Sequence, residues 1–187
     1  MLLCVQILHM PIKSIAVFCG SKSGNDPLYE KHTRQLGELL AKKGTNIIYG
    51  GGNKGLMGAV ANAAIDNKGN VIGIMPELLK DWEHHHAGLS ELVIVDTMHT
   101  RKRMLYERCD AAIILPGGFG TLDEVFEILT WNQLKIHQKK IFILNSGGFY
   151  DHLVSHILKM HDSGFLYEAT ELSLTTLCEP EELLPYL

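Results

Sequence analysis

The stretch "DAAIILPGGFGTLDEVFEIL", residues 110–129, joins an apolar run, a proline with three glycines, and an acidic amphipathic segment. Residues 111–115 are short and wholly apolar, as expected of a strand buried on both faces. Pro116 ends that strand, because proline has no N–H to give to a sheet ladder. Beyond the glycines, Val125, Ile128 and Leu129 fall three and four apart, with Asn132 breaking the stripe, which is the spacing of one helix face. The stretch therefore reads as strand, glycine-rich turn and helix.

The same unit recurs along the chain. Apolar runs stand at 14–20 ("SIAVFCG"), 45–51 ("TNIIYGG"), 70–76 ("NVIGIMP"), 91–97 ("ELVIVDT"), 110–117 and 140–145 ("KIFILN"). Nearly every run is followed by a helical stripe such as Leu36, Leu39 and Leu40. Strand and helix repeated about six times predict a single-domain α/β fold over 1–187. Its sheet is doubly wound, Rossmann-like and mainly parallel, with helices on both faces, since parallel strands need right-handed crossovers. The longest irregular stretch, "ELLKDWEHHHAGLS" at 77–90, has the length of a loop over a site.

Composition narrows the function. With 46% apolar residues, 20% charged residues and a formal charge of −4, the 187-residue chain reads as globular. It has no broad attraction for nucleic acid or an anionic membrane, so any phosphate must be held locally. The apolar start "MLLCVQILHM" lacks a basic flank and is far shorter than a membrane span. Cys4, Cys19, Cys109 and Cys178 stand far apart without a CxxC pair, which argues against a zinc site or a disulfide framework and for a cytoplasmic setting. Adjacent His84, His85 and His86 point different ways and read as a solvated loop, so no metal and no cofactor is expected.

Ligands of such sheets bind beyond the carboxyl ends of the strands. After the fifth strand, "PGGFGT" offers bare backbone N–H groups at a helix N-terminus, a site for phosphate that needs no net positive charge. Three glycines with a proline, read as permitting positive φ, exceed what a capped turn requires. Glu124 lies one turn into the helix, within reach of a ligand whose phosphate rests on the loop. Asp123 and Glu127 read instead as helix-dipole and capping residues. Arg101 and Lys102, just past the fourth strand, place two cations near the same edge, while Arg103 and Arg108 read as a solvated helix face. The G-x-G-x-x-G at Gly50, Gly52 and Gly55 follows the second strand, not the first. It is read equally as close helix–strand packing or as a ligand contact.

"CGSKSG", "YGGGNKGLMG", "MHTRKRM" and "LPGGFGTLDE" occur in the order and spacing of the Lonely Guy family of phosphoribohydrolases, which the chain resembles from residue 13 to about 185. The resemblance implies hydrolysis of the N-glycosidic bond of a nucleoside 5′-monophosphate, typically a cytokinin riboside monophosphate. It further implies a homodimer with the site near the subunit interface. By motif, Arg101 and Glu124 are then the catalytic pair. Gly20, Ser21, Glu83, Met98, Lys102, Gly117, Gly118, Gly120, Thr121 and Thr130 are the substrate-binding set. Members also bear the label "lysine decarboxylase", yet no lysine here has the context of a Schiff-base residue. Two departures, the histidine-rich loop and Lys22, bear on which base is accepted. A nucleotide carrier of the same fold is the main alternative. A nicotinamide-dependent oxidoreductase is a weaker one, resting only on Gly50, Gly52 and Gly55.

Overall fold

A computed structural model describes residues 11–79, 85–166 and 174–187. Seven strands form one parallel sheet: β1 (Ser14–Phe18), β2 (Asn46–Tyr49), β3 (Val71–Pro76), β4 (Glu91–Val95), β5 (Ala111–Ile114), β6 (Lys140–Leu144) and β7 (Leu174–Leu177). Their spatial order is β4-β3-β2-β1-β5-β6-β7. The helices are α1 (Pro27–Lys42), α2 (Gly55–Asp66), α3 (Met98–Glu107), α4 (Phe119–Gln133) and α5 (Asp151–Asp162). The doubly wound α/β architecture expected from the sequence is what forms.

β7 was not anticipated. "LTTL" is four residues long and pairs only with β6, so as an edge strand it buries too little to show the apolar run that marks a central one. Along 77–90 the described residues hold one 3-10 turn (Glu77–Leu79) and a bridge between Gly52 and His85.

Each sheet face carries its own core. Leu36 and Leu40 of α1 and Val60 of α2 pack with Tyr49 and Val17 on one side. On the other side Leu105 and Tyr106 of α3, Val125 and Ile128 of α4 and Ile157 of α5 meet Phe18 and Ile114. The central register is held from below by Asp110, whose carboxylate accepts from the Lys13 and Ser14 amides at 2.9 Å and from the Ser14 hydroxyl at 3.0 Å. β1 and β5 thus start level, with Ile15 beside Ala111.

Chain order reverses between β1 and β5, which opens a crevice at their carboxyl ends. The two loops there touch. Gly20 N donates to Pro116 O at 3.0 Å, and Leu56 N and Met57 N donate to Gly20 O at 3.1 and 3.4 Å.

α1 and α2 cross at Gly37, where an added Cβ would lie 2.6 Å from Val60 O and 3.0 Å from Ala63 Cβ. Alanine improves helix propensity by ~1 kcal/mol over glycine. Backbone crowding costs about 1–3 kcal/mol and should win. Gly37→Ala is expected to lower unfolding free energy in urea titrations; a rise would mean that the helices separate freely.

Candidate active site

A cleft of about 490 Å³ lies over the crevice. Residues 19–24 after β1 and 116–121 after β5 form its floor, α3 and α4 one wall, and Tyr29 with Phe149 the other end.

The helix at its centre is left open by its sequence. α1 is capped by Asp26, which accepts from Leu28 N, and α3 by Thr97, which accepts from Thr100 N. α4 begins at Gly118 with no side-chain cap. Among the described residues no main-chain acceptor meets the Phe119, Gly120 or Thr121 amide. Three unpaired N–H groups at the positive end of a 15-residue helix suit an anion.

The glycines serve this end differently from expectation. None of Gly117, Gly118 and Gly120 has positive φ. A Cβ at Gly117 would overlap the Thr121 hydroxyl, whereas at Gly118 and Gly120 it would meet nothing within 4 Å. Bare backbone facing open cleft, not a left-handed turn, is what these positions provide.

Glu124 projects from α4 beside this loop. It is half-buried, because the cleft reaches it, yet protein surrounds its carboxyl group. Burial raises its pKa from 4.5 to about 7, against the pull of Arg101 and Lys102 and with the added push of Asp123 and Glu127. Arg101, only 8% exposed, crosses from α3. Its guanidinium lies where a Cβ on Gly50 would stand, so that glycine answers a packing need. Arg101 Nη1 contacts Met98 Sδ at 3.9 Å, and its buried Nε has no partner. No direct ion pair joins Arg101 to Glu124, which leaves room for a ligand between them.

Lys102 is engaged differently. It pairs with Asp123 at 2.5 Å and Glu127 at 3.2 Å. Burial alone would depress its pKa, but these two carboxylates raise it overall. Glu127 also accepts from the Tyr106 hydroxyl at 2.9 Å. Asp123 and Glu127 are therefore not dipole or capping residues: they fasten α3 to α4 and so set the spacing of Arg101 and Glu124. Cys19 lines the cleft too, but burial, then Glu124, push its thiol far up, so it stays protonated.

Gly20, Ser21, Met98, Arg101, Lys102, Gly117, Gly118, Gly120, Thr121 and Glu124 all line this one cleft. Thr130 does not: its hydroxyl donates to Phe126 O at 2.6 Å, two turns further along α4. Glu83 and His84 lie outside the described residues. His86 is less solvated than expected, with Nε2 3.0 Å from Asn62 Oδ1 and Nδ1 accepting from Gly88 N. Tyr29, Met57 and Phe149 line the cleft without having been singled out. Met57 stands inside "YGGGNKGLMG" but between its glycines, whereas Tyr29 and Phe149 carry no local motif, and only the α1 start and the turn after β6 bring those two edge to face at 5.5 Å.

An open helix N-terminus, an arginine without an ion pair among the described residues and a carboxyl group raised toward neutrality are gathered at the switch point of a doubly wound sheet, the place where α/β proteins of this class hold their ligands. Relatives sharpen this. The family model described as "Possible lysine decarboxylase" matches residues 57–187. The cytokinin riboside 5′-monophosphate phosphoribohydrolase of Arabidopsis thaliana is 43% identical over 154 residues, covering 82% of this chain and 72% of that protein. The enzyme of that name from Rhodococcoides fascians is 42% identical over 159 residues, covering 84% and 80%. The chain belongs to this Lonely Guy family of phosphoribohydrolases. Among solved structures, the molybdenum cofactor binding protein of Rippkaea orientalis matches at TM-score 0.69 and 24% identity, covering 94% and 95% of the two chains. The molybdenum cofactor carrier protein of Chlamydomonas reinhardtii matches at 0.70 and 16%, covering 92% and 93%. At these identities they share the fold.

A buried acid held above its unfolded pKa binds more protons when folded. Stability therefore falls as pH rises from 4.5 to about 7 and the penalty is complete above that. The displacement amounts to at most ~3 kcal/mol, less what cleft water restores. Glu124→Gln is expected to raise Tm at pH 8 by roughly 5 °C and to change it little at pH 5. Equal shifts at both pH values in paired thermal scans would contradict the burial argument.

Proposed function

We propose that the protein hydrolyses the N-glycosidic bond of cytokinin riboside 5′-monophosphates, and of AMP, to free base and ribose 5-phosphate. The observation that carries this reading is Glu124, an acid raised to about 7, in one cleft with the open N-terminus of α4 and with Arg101. The names of the relatives support the substrate class.

The 5′-phosphate rests on the amides of residues 119–121, so binding energy remote from the reacting bond sets C1′ of the ribose against Glu124. As the bond from C1′ to the base nitrogen breaks, its electron pair leaves with the base and the sugar becomes oxocarbenium-like. The Glu124 carboxylate stabilises that cation and accepts a proton from the water whose oxygen bonds to C1′. Arg101 meets the charge on the departing base by a charge-assisted hydrogen bond until the base takes a proton from water. Glu124 returns the proton it accepted to solvent, so that neutral base and ribose 5-phosphate leave. With a pKa above ~12 the arginine is not the proton donor. Lys102, tied to Asp123 and Glu127, adds positive potential and holds α3 against α4.

A homodimer fits an apolar strip along α4, where Phe119 is 93% exposed and Leu134 and Ile136, just past its end, 62% and 60%. Sedimentation velocity is expected to give twice the chain mass; a monomer at micromolar concentration would remove this part.

The decisive experiment incubates the protein with AMP and, separately, isopentenyladenosine 5′-monophosphate and follows free base by chromatography. Release is expected from both, with loss of at least ~100-fold in Glu124→Ala, the scale of an acid–base contribution. Arg101→Lys is expected to be poor as well, because a point charge does not place donors as a planar fork does. kcat/KM should fall as pH drops below about 7, as Glu124 takes up its proton. Binding of both nucleotides without release of base would favour a carrier.

A further inference from the structure

Behind the wall of the cleft that carries Glu124 stands Tyr106, a buried residue of α3 that does not itself border the cleft. Its ring meets Phe18, at the end of β1, edge to face with centroids 5.9 Å apart, and Trp131 of α4 in the same way at 5.0 Å. Its hydroxyl donates to Glu127 Oε2 at 2.9 Å and lies 3.3 Å from the Glu124 carbonyl oxygen. Glu124, Glu127 and Trp131 follow one another at three and four residues, so they share one face of α4. A single side chain of α3 thus grips two successive turns of the helix that carries the acid.

Phenylalanine would fill the same space with apolar surface, so the hydroxyl itself needs a reason. Burial, then Glu127, push its pKa far up, and it remains a neutral donor. Its one proton goes to the nearer, charged acceptor, because a hydrogen bond to a carboxylate is about twice as strong as one to a neutral oxygen. Glu127, its side chain 25% exposed, is held by this phenol and by Lys102 at 3.2 Å. Asp123 is 61% exposed and keeps its own hold on Lys102. Without the phenol, Glu127 turns toward water while Lys102 stays with Asp123.

This bears directly on Glu124. Arg101 and Lys102 act on it from α3, Asp123 and Glu127 from its own helix, and Cys19 faces it from the loop after β1 as a neutral thiol. Of the four charges, Glu127 is the one whose place the phenol fixes. We propose that Tyr106 is a positioning residue, whose hydroxyl pins the Glu127 carboxylate and the turn of α4 bearing Glu124 against α3, and so sets the aim and the charge environment of the catalytic acid. The role in hydrolysis rests on the phosphoribohydrolase reading, whereas the influence on Glu124 does not.

The test uses Tyr106→Phe, which keeps the contacts with Phe18 and Trp131, together with Glu127→Ala and the double variant. Glu124 is titrated in the free protein by carbon-13 NMR of carboxyl-labelled glutamate, its signal assigned by its loss in Glu124→Gln. Base release from isopentenyladenosine 5′-monophosphate gives kcat and KM across the neutral pH range. In Tyr106→Phe the Glu124 midpoint is expected to fall by roughly half a pH unit, because the push of Glu127 weakens while Lys102 remains. The acidic limb of kcat/KM should move down with it. kcat should drop roughly tenfold with KM nearly unchanged, since aim is lost but the amides that hold the phosphate are untouched. In the Glu127→Ala background the same change should add little, the mark of two residues that act as one. An unmoved Glu124 midpoint, a loss confined to KM, or a full additional loss in the double variant would overturn the positioning role and leave the hydrolase intact. If the wild type released no base, the hydrolase reading would fall, and the midpoint alone would decide whether Tyr106 governs Glu124.

Discussion

The hydrogen bond from Gly20 N to Pro116 O, 3.0 Å long, is the contact on which the rest of the site depends. It joins the loops after β1 and β5 at the point where the sheet reverses direction, and it leaves little space for a side chain. A Cβ at Gly20 would lie 3.1 Å from Lys22 O and 3.3 Å from Gly117 Cα. The carbonyl of the same residue receives the first amides of α2, so one glycine ties three strand ends together. With those ends fixed, the start of α4 has no neighbour to satisfy it and faces the cleft.

Electrostatics then follow from geometry more than from charge count. The chain is acidic overall, yet the cleft gathers the unpaired amides at the start of one helix and two cations on α3. The carboxylates that might have opposed a phosphate are employed elsewhere: Asp123 and Glu127 are tied to Lys102, and Glu127 also to Tyr106. Glu124 borders the ligand space together with Asp123, and its desolvation is what moves its pKa toward the pH at which an acid can exchange a proton. The same desolvation keeps Cys19, immediately behind it, a thiol.

Much of this was legible in the chain. Apolar runs bounded by glycine and proline located six of the seven strands, because buried parallel strands have no polar side to blur the pattern. The loop "PGGFGT" and the Arg101 and Lys102 pair were visible as chemistry out of place in ordinary turns. The backbone state of the three loop glycines was misjudged, since residue identity tells what conformations are allowed and not which one a neighbour imposes. The partners of Lys102 were missed for a related reason: α3 and α4 are separated by β5 in the chain, and no local rule pairs their side chains.

The sequence by itself determined the alternation of strand and helix, the sites of the turns and the residues able to carry charge, because each is a property of a few consecutive side chains. Tertiary structure alone decided that Tyr29, Met57 and Phe149 border the same cleft as Glu124, that Thr130 lies outside it, and that Tyr106 bonds to α4 behind it. Those facts turn on which strand ends the sheet order brings together. Burial and proximity, which set the pKa of Glu124, belong to the folded chain and to none of its segments.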